Sequence, residues 1–98
     1  MAIRSFKNRA SEDINYGKAS RHALKLLPKE LHQKAQIKLA RIGAATSLQD
    51  LKELRGNRLE ALKGGRRGQY SIRINDQYRI CFRWEGEHAY DVEIVDYH

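Results

Sequence analysis

The chain has 98 residues, with 19 Lys and Arg against 12 Asp and Glu and a net charge of +7 at pH 7; that length supports one domain, residues 1–98, built on a single small core. The lone cysteine, Cys81, excludes an internal disulfide and a Cys-rich zinc site, and no apolar run approaches the roughly 18 residues of a spanning helix, so the expected setting is the cytoplasm. The positive surplus favours a phosphate backbone or an acidic protein as partner; a membrane surface would want a basic amphipathic helix with a bulky aromatic edge, which the sequence lacks.

The first element is a short strand, residues 2–6. Helical signals then dominate to about residue 55. Leu24, Leu27, Leu31, Ala35, Leu39 and Ile42 recur at steps of three or four, with Lys29, His32, Lys34, Lys38 and Arg41 off that stripe. Pro28 suits the first turn of a helix and holds Leu27 out of helical angles, so the region divides near Leu27, and Gly43 closes it. Ser47, three residues before Asp50, opens a shorter helix through Leu48, Leu51 and Leu54 that stops at Gly56.

From Asn57 the period changes to two. "RLEAL", "QYSIRI", "YRICFRW" and "AYDVEIV" read as four strands joined by "KGGRRG", a turn at "NDQ" and "EGEH". Helices followed by consecutive strands predict an α+β fold, an antiparallel sheet with the N-terminal helices packed on one face. Tyr70, Ile72 and Ile74 share one side of their strand, as do Tyr78, Ile80, Phe82 and Trp84, and Tyr90 has the same core-facing parity on the last strand. Both apolar sets meet one core only if the loop between them has an odd number of residues. A three-residue loop, residues 75–77, satisfies this and sets Arg73 directly across from Arg79.

Like charges opposite each other in a sheet call for an anion. Glu93 or Asp91, on the same face of the next strand, could provide it internally. The alternative is an external phosphate, favoured by Lys63, Arg66 and Arg67 on a glycine-rich turn nearby and by the bidentate fork of Arg. Cleavage of RNA needs a base for the 2′-hydroxyl, a cation for the phosphorane and an acid for the leaving 5′-oxygen, and no metal. Tyr97 and His98, following the last strand, stand at the edge of the same sheet as Arg73, Arg79 and Lys63, and His is suited to proton transfer near neutral pH. Glu60 is a solvated carboxylate or a member of this site, because the facing of its strand is ambiguous. No metal or cofactor is called for: His22, His32, His88 and His98 are scattered, with no Glu-x-x-His or Cys-x-x-Cys beside them.

The run from Asn57 to His98, with "LKG", "RxGQYSIRINDQYRICF" and "VEIVDYH", closely resembles the HigB-type toxins of the RelE/ParE superfamily, and the opening "IRSFKNR" and the segment 48–54 extend the likeness loosely. The resemblance implies a compact RelE-like, microbial RNase-like fold and a toxin of a type II toxin-antitoxin system that cleaves mRNA in the ribosomal A site without a metal. It implies a HigA-type helix-turn-helix antitoxin, whose complex with the toxin binds operator DNA. By position Lys63, Arg66, Arg73 and Arg79 correspond to the phosphate and transition-state contacts, with Arg58 and Arg67 as further RNA contacts. Tyr97 and His98 correspond to the catalytic pair, with Asp96 beside them. Some relatives carry His where this chain has Glu60, which leaves the base to Glu60 or His98. Two other readings remain: a ParE-like toxin that binds DNA gyrase, and a basic RNA-binding module without catalysis.

Overall fold

The computed structural model describes residues 2–97. Helices α1 (Arg9–Asn15), α2 (Arg21–Leu26), α3 (His32–Ala44) and α4 (Leu48–Lys52) precede strands β1 (Glu60–Ala61), β2 (Gln69–Arg73), β3 (Tyr78–Glu85) and β4 (His88–Asp96). The strands form one antiparallel sheet in the order β1-β2-β3-β4. The helices cover one face: Ile14, Leu27, Leu39, Ile42 and Leu51 meet Ile72, Ile80, Phe82, Val92 and Ile94 in a single core cluster. The other face, here the outer face, carries the polar parity of each strand.

Each helix start has a local cause. Asn8 Oδ1 accepts the Ser11 N–H at 2.9 Å, Ser20 Oγ that of Ala23 at 3.1 Å, and Ser47 Oγ that of Asp50 at 3.3 Å. Asp50 completes the α4 start by accepting from the backbone and hydroxyl of Thr46, at 2.8 and 2.9 Å, and these bonds hold its carboxyl below the usual value. Leu27 is extended, at φ −143° and ψ 131°, and Pro28 leads a 3₁₀ turn (Lys29–Leu31) into α3, so the division near Leu27 stands. Helix α3 runs one residue past Gly43, whose carbonyl accepts the Ala2 N–H at 2.9 Å. Helix α4 ends before Leu54, which is exposed.

The apolar stripe read from the sequence is only partly the buried one. Leu24 is exposed, whereas His32 and Lys38, expected on the solvent side, are buried. The ring of His32 reaches the Leu27 carbonyl at 2.8 Å across the break between helices. Lys38 Nζ donates to the Gly56 carbonyl at 3.0 Å and to Asn57 Oδ1 at 3.1 Å, and Arg41 donates to the same Oδ1 at 3.2 Å. Asn57, fully buried, gives its amide to Leu51 O at 3.0 Å. A pair of cations on α3 thus pins the strap before β1, using neutral acceptors only.

Residues 2–7 form no continuous strand. They run parallel to β4 through bridges at Ile3–Ala89 and Phe6–Val92, with N–H···O bonds of 2.8 to 3.0 Å in both directions. A bulge in β4 interrupts its pairing with β3: Asp91 and Val92 together oppose Phe82. Asp91 has φ +52°, and its N–H goes to Ser5 Oγ at 2.9 Å. Beyond the bulge, Ser11 Oγ accepts the Ile94 N–H at 3.0 Å, so the edge of β4 is covered rather than left as a template for another strand.

Burial, then the neighbouring cations Arg41, Lys34 and Arg73, hold the Lys38 amine below its usual value of 10.5. In the unfolded chain Lys38 keeps its proton up to that value, so between the lowered and the ordinary value the unfolded state binds more protons and stability climbs with pH. Stability of wild type relative to Lys38→Met, measured by urea denaturation, will therefore rise as pH approaches 10.5. A difference that stays flat across that window would show that the amine carries no desolvation penalty in the fold.

Candidate active site

The hairpin from β2 to β3 sets the site. Asn75 Oδ1 accepts the N–H groups of Gln77 and Tyr78 at 2.9 and 2.8 Å, closing a three-residue loop. The resulting register places Arg73 opposite Arg79, Ile72 opposite Ile80 and Ser71 opposite Cys81, as the parity of the two strands requires. Across the sheet, Glu60 pairs with Ser71 and Glu93 with Cys81. Glu60, Ser71, Cys81 and Glu93 therefore form one row on the outer face, and the ambiguity over Glu60 is settled in favour of that face.

The two arginines do not share an anion. Arg73 turns to Asp76 in its own loop. Arg79 is buried, yet no carboxylate among the described residues pairs with it. Its Nε donates to Ser71 Oγ at 2.7 Å, and its Nη2 to the carbonyls of Ser71, at 3.3 Å, and Arg58. Arg58 takes the left-handed region, at φ 46°, in presenting that carbonyl. The Tyr97 ring lies 5.9 Å from the Arg79 guanidinium carbon, within cation–π range.

Glu93 is the partner of Arg66 instead, at 2.7 Å, and Gln69 Oε1 accepts from the same nitrogen at 3.0 Å. The loop between β1 and β2 makes this reach possible. Gly64, which opens a 3₁₀ turn (Gly64–Arg66), and Gly68, which follows it, supply positive φ, +63° and +90°, and the turn delivers Arg66 over the outer face. The hydrogen bond to Glu93 raises the Arg66 guanidinium above its usual value, so its charge is permanent. Lys63 and Arg67 flank the turn and are exposed.

The Tyr97 hydroxyl lies 3.7 Å from Cys81 Sγ. Burial of that end pushes the phenol above its usual value, and Cys81 adds to the rise, while a hydrogen bond from Ser71 and the charge of Arg79 oppose it. Burial likewise pushes the Cys81 thiol up, leaving it an inert floor. The phenol thus keeps its proton and is a donor. Asp96 has the other parity, opposite Tyr78, and accepts from Gln77 at 3.1 Å. His98 lies outside the described residues. Arg79, Tyr97, Arg66 and Glu60 therefore share one face with Arg73 at its end, whereas Asp96 is not brought onto that face by the strand.

Strand parity puts Ser71 and Cys81 on this face, but only their contacts show that they support Arg79 and Tyr97. Asn57 gave no sequence signal, because its function rests on contacts with α3. Tyr90 is a correction. The bulge at Asp91 reverses parity beyond it, so Ala89 enters the core and Tyr90 pairs with Arg83 on the outer face.

A helix-covered antiparallel sheet of this kind is the fold of RelE-type toxins. The YoeB–YefM complex from Staphylococcus aureus includes a chain that superposes with a TM-score of 0.60 at 22% identity, covering 100% of this chain and 99% of that one. The YoeB/ParE toxin from Agrobacterium tumefaciens superposes with a TM-score of 0.54 at 16% identity, covering 100% of both. Residues 5–98 match the family described as RelE-like toxin of type II toxin-antitoxin system HigB. Toxin HigB-1 of Vibrio cholerae serotype O1 is 38% identical over 79 residues, 81% of this chain and 80% of that protein. The chain belongs to the HigB family of RelE-like toxins, and its partner is the antitoxin of a type II system.

Tyr97 should report its neighbours directly. With ¹³Cζ-labelled tyrosine, NMR titration is expected to show the Tyr97 phenol titrating at higher pH in Ser71→Ala and at lower pH in Cys81→Ala than in wild type. An unmoved resonance in Ser71→Ala would detach Ser71 from the phenol.

Proposed function

We propose that this toxin is a metal-independent endoribonuclease that cleaves mRNA in the A site of the ribosome, and so arrests translation in the cytoplasm. The observation that carries this reading is Arg79: a buried guanidinium held by neutral oxygens, its charge uncancelled by any carboxylate of the described residues, beside a phenol that keeps its proton. A cation held that way is aimed before the reaction begins, and it strengthens most with the dianionic phosphorane.

In the reaction so read, the 2′-hydroxyl loses its proton to a base and O2′ attacks the adjacent phosphorus. The bond to O5′ breaks, and O5′ takes a proton from an acid, leaving a 2′,3′-cyclic phosphate. Arg79 steadies the phosphorane, and Arg66, Arg73, Lys63, Arg67 and Arg58 guide the flanking phosphates. Tyr97 donates a proton or a hydrogen bond at the leaving oxygen. The base is Glu60, which shares the face, or His98, which the family resemblance assigns; Asp96 serves beside them. The +7 charge suits docking on ribosomal RNA and neutralisation by an antitoxin of the HigA helix-turn-helix kind, through which the complex would reach operator DNA.

The test is cleavage of a defined mRNA on ribosomes with an open A site, with naked RNA run in parallel. Arg79→Ala is expected to lose on the order of 100-fold or more in rate and to be tolerated in cells without antitoxin, provided thermal denaturation shows it folded. Glu60→Gln and His98→Gln, compared as pH profiles, identify the base by which one abolishes the acid limb. Growth arrest by folded wild type with no cleavage of ribosome-bound mRNA would overturn the nuclease reading in favour of gyrase binding.

A further inference from the structure

The bulge in β4 does something the core does not need. Without it, Tyr90 would have the parity of Val92 and Ile94 and bury its ring; with it, Ala89 is fully buried and the large aromatic is turned outward. The turn is held by a non-glycine residue in the left-handed region, Asp91, which L-residues adopt at a cost. Bulges of this kind re-aim side chains. Of the aromatic residues on the described sheet, Tyr70, Tyr78, Phe82 and Trp84 belong to the core or pack against it, and only Tyr90 and Tyr97 take the outer face.

Tyr90 is also braced by two neighbouring side chains. The Arg83 guanidinium carbon lies 5.2 Å from its ring centroid, and the His88 ring meets it edge-on at 6.5 Å. Arg83 is fixed in plane by Asp91 at 3.0 Å and Glu85 at 2.8 Å. Those two carboxylates balance Arg83 and Arg4, which reaches the His88 ring at 3.2 Å, so the patch carries little net charge with which to attract a phosphate. What it offers is π surface, partly exposed, on the face that carries Arg79 and Arg66.

We propose that Tyr90, braced by Arg83, is a nucleobase-stacking subsite for the RNA strand whose reacting phosphate lies against Arg79. The proposal rests on the ribonuclease reading and adds a second contact to it. Arg83 is four residues from Arg79 along β3, about 13 Å at ~3.3 Å per residue, so the base belongs to a neighbouring nucleotide rather than to the one being cut. Stacking tolerates any base, so the subsite orders the strand without selecting a sequence. The cationic end of the face grips phosphates and the end at the β3–β4 turn grips a base, a division that fixes the strand's direction across the sheet.

The experiment measures binding of the toxin to ribosomes programmed with an mRNA whose A-site riboses are 2′-O-methylated, which blocks attack and separates binding from cleavage. Tyr90→Ala is expected to weaken binding about tenfold, within the range for one stacked base, while Tyr90→Phe binds as wild type. An abasic nucleotide placed in turn on each side of the blocked phosphate should reproduce the loss at one position, and at that position Tyr90→Ala should lose nothing more. Wild-type affinity in Tyr90→Ala, or a loss that persists in full on every abasic mRNA, overturns the subsite while leaving the nuclease reading intact. Failure of wild type to bind programmed ribosomes at all removes both.

Discussion

The arrangement of this toxin depends on one side-chain oxygen. Asn75 Oδ1 takes the two N–H groups that would otherwise be left open in the β2–β3 loop, and so holds that loop at three residues. One residue more or fewer would reverse the parity of one strand against the other. Ile72 would then lose Ile80 as its core neighbour, and Ser71 would no longer stand under Cys81 with Arg79 beside it. The hydrophobic layer and the polar face are two readings of a single register, which is why a small sheet can hold a reactive surface without a dedicated scaffold.

That dependence explains how much the sequence discloses. Strand parity is a local property, so the antiparallel hairpin, the odd loop and the opposition of Arg73 and Arg79 can be read from "QYSIRINDQYRICFRW" alone. The break at Leu27 and the cap at Ser47 are equally local. Partner choice is not. Arg73 could be placed, but its preference for Asp76 and the pairing of Glu93 with Arg66 depend on where side chains end rather than where they start. The bulge at Asp91 illustrates a sharper limit: an Asp at φ +52° has no periodic signature, and a single such residue moves Tyr90 from one side of the sheet to the other. Lys38 and His32 escape helical periodicity for a related reason, since each is buried to serve a backbone carbonyl belonging to another element.

Buried cations without carboxylate partners among the described residues recur, Lys38 on the helical side and Arg79 on the sheet. Both lean on the strap at residues 56–58, one on the Gly56 carbonyl and the Asn57 amide oxygen, the other on the Arg58 carbonyl. Desolvated charge of this kind works against folding, and an ion pair would relieve it. An ion pair would also cancel the field. A surface that must meet an anion keeps its charge by accepting weaker, neutral partners, and the strap is where that compromise is anchored from both directions.

The parallel pairing of residues 2–7 with β4 has a temporal side. Arg4 and Ala89 are joined by a backbone hydrogen bond across nearly the whole length of the chain, and loop closure over such a separation comes late. Residues 2–7 must wait for β4 before the sheet edge is sealed. Sealing of that edge therefore falls among the last steps of folding, after the more local β2–β3 hairpin has closed.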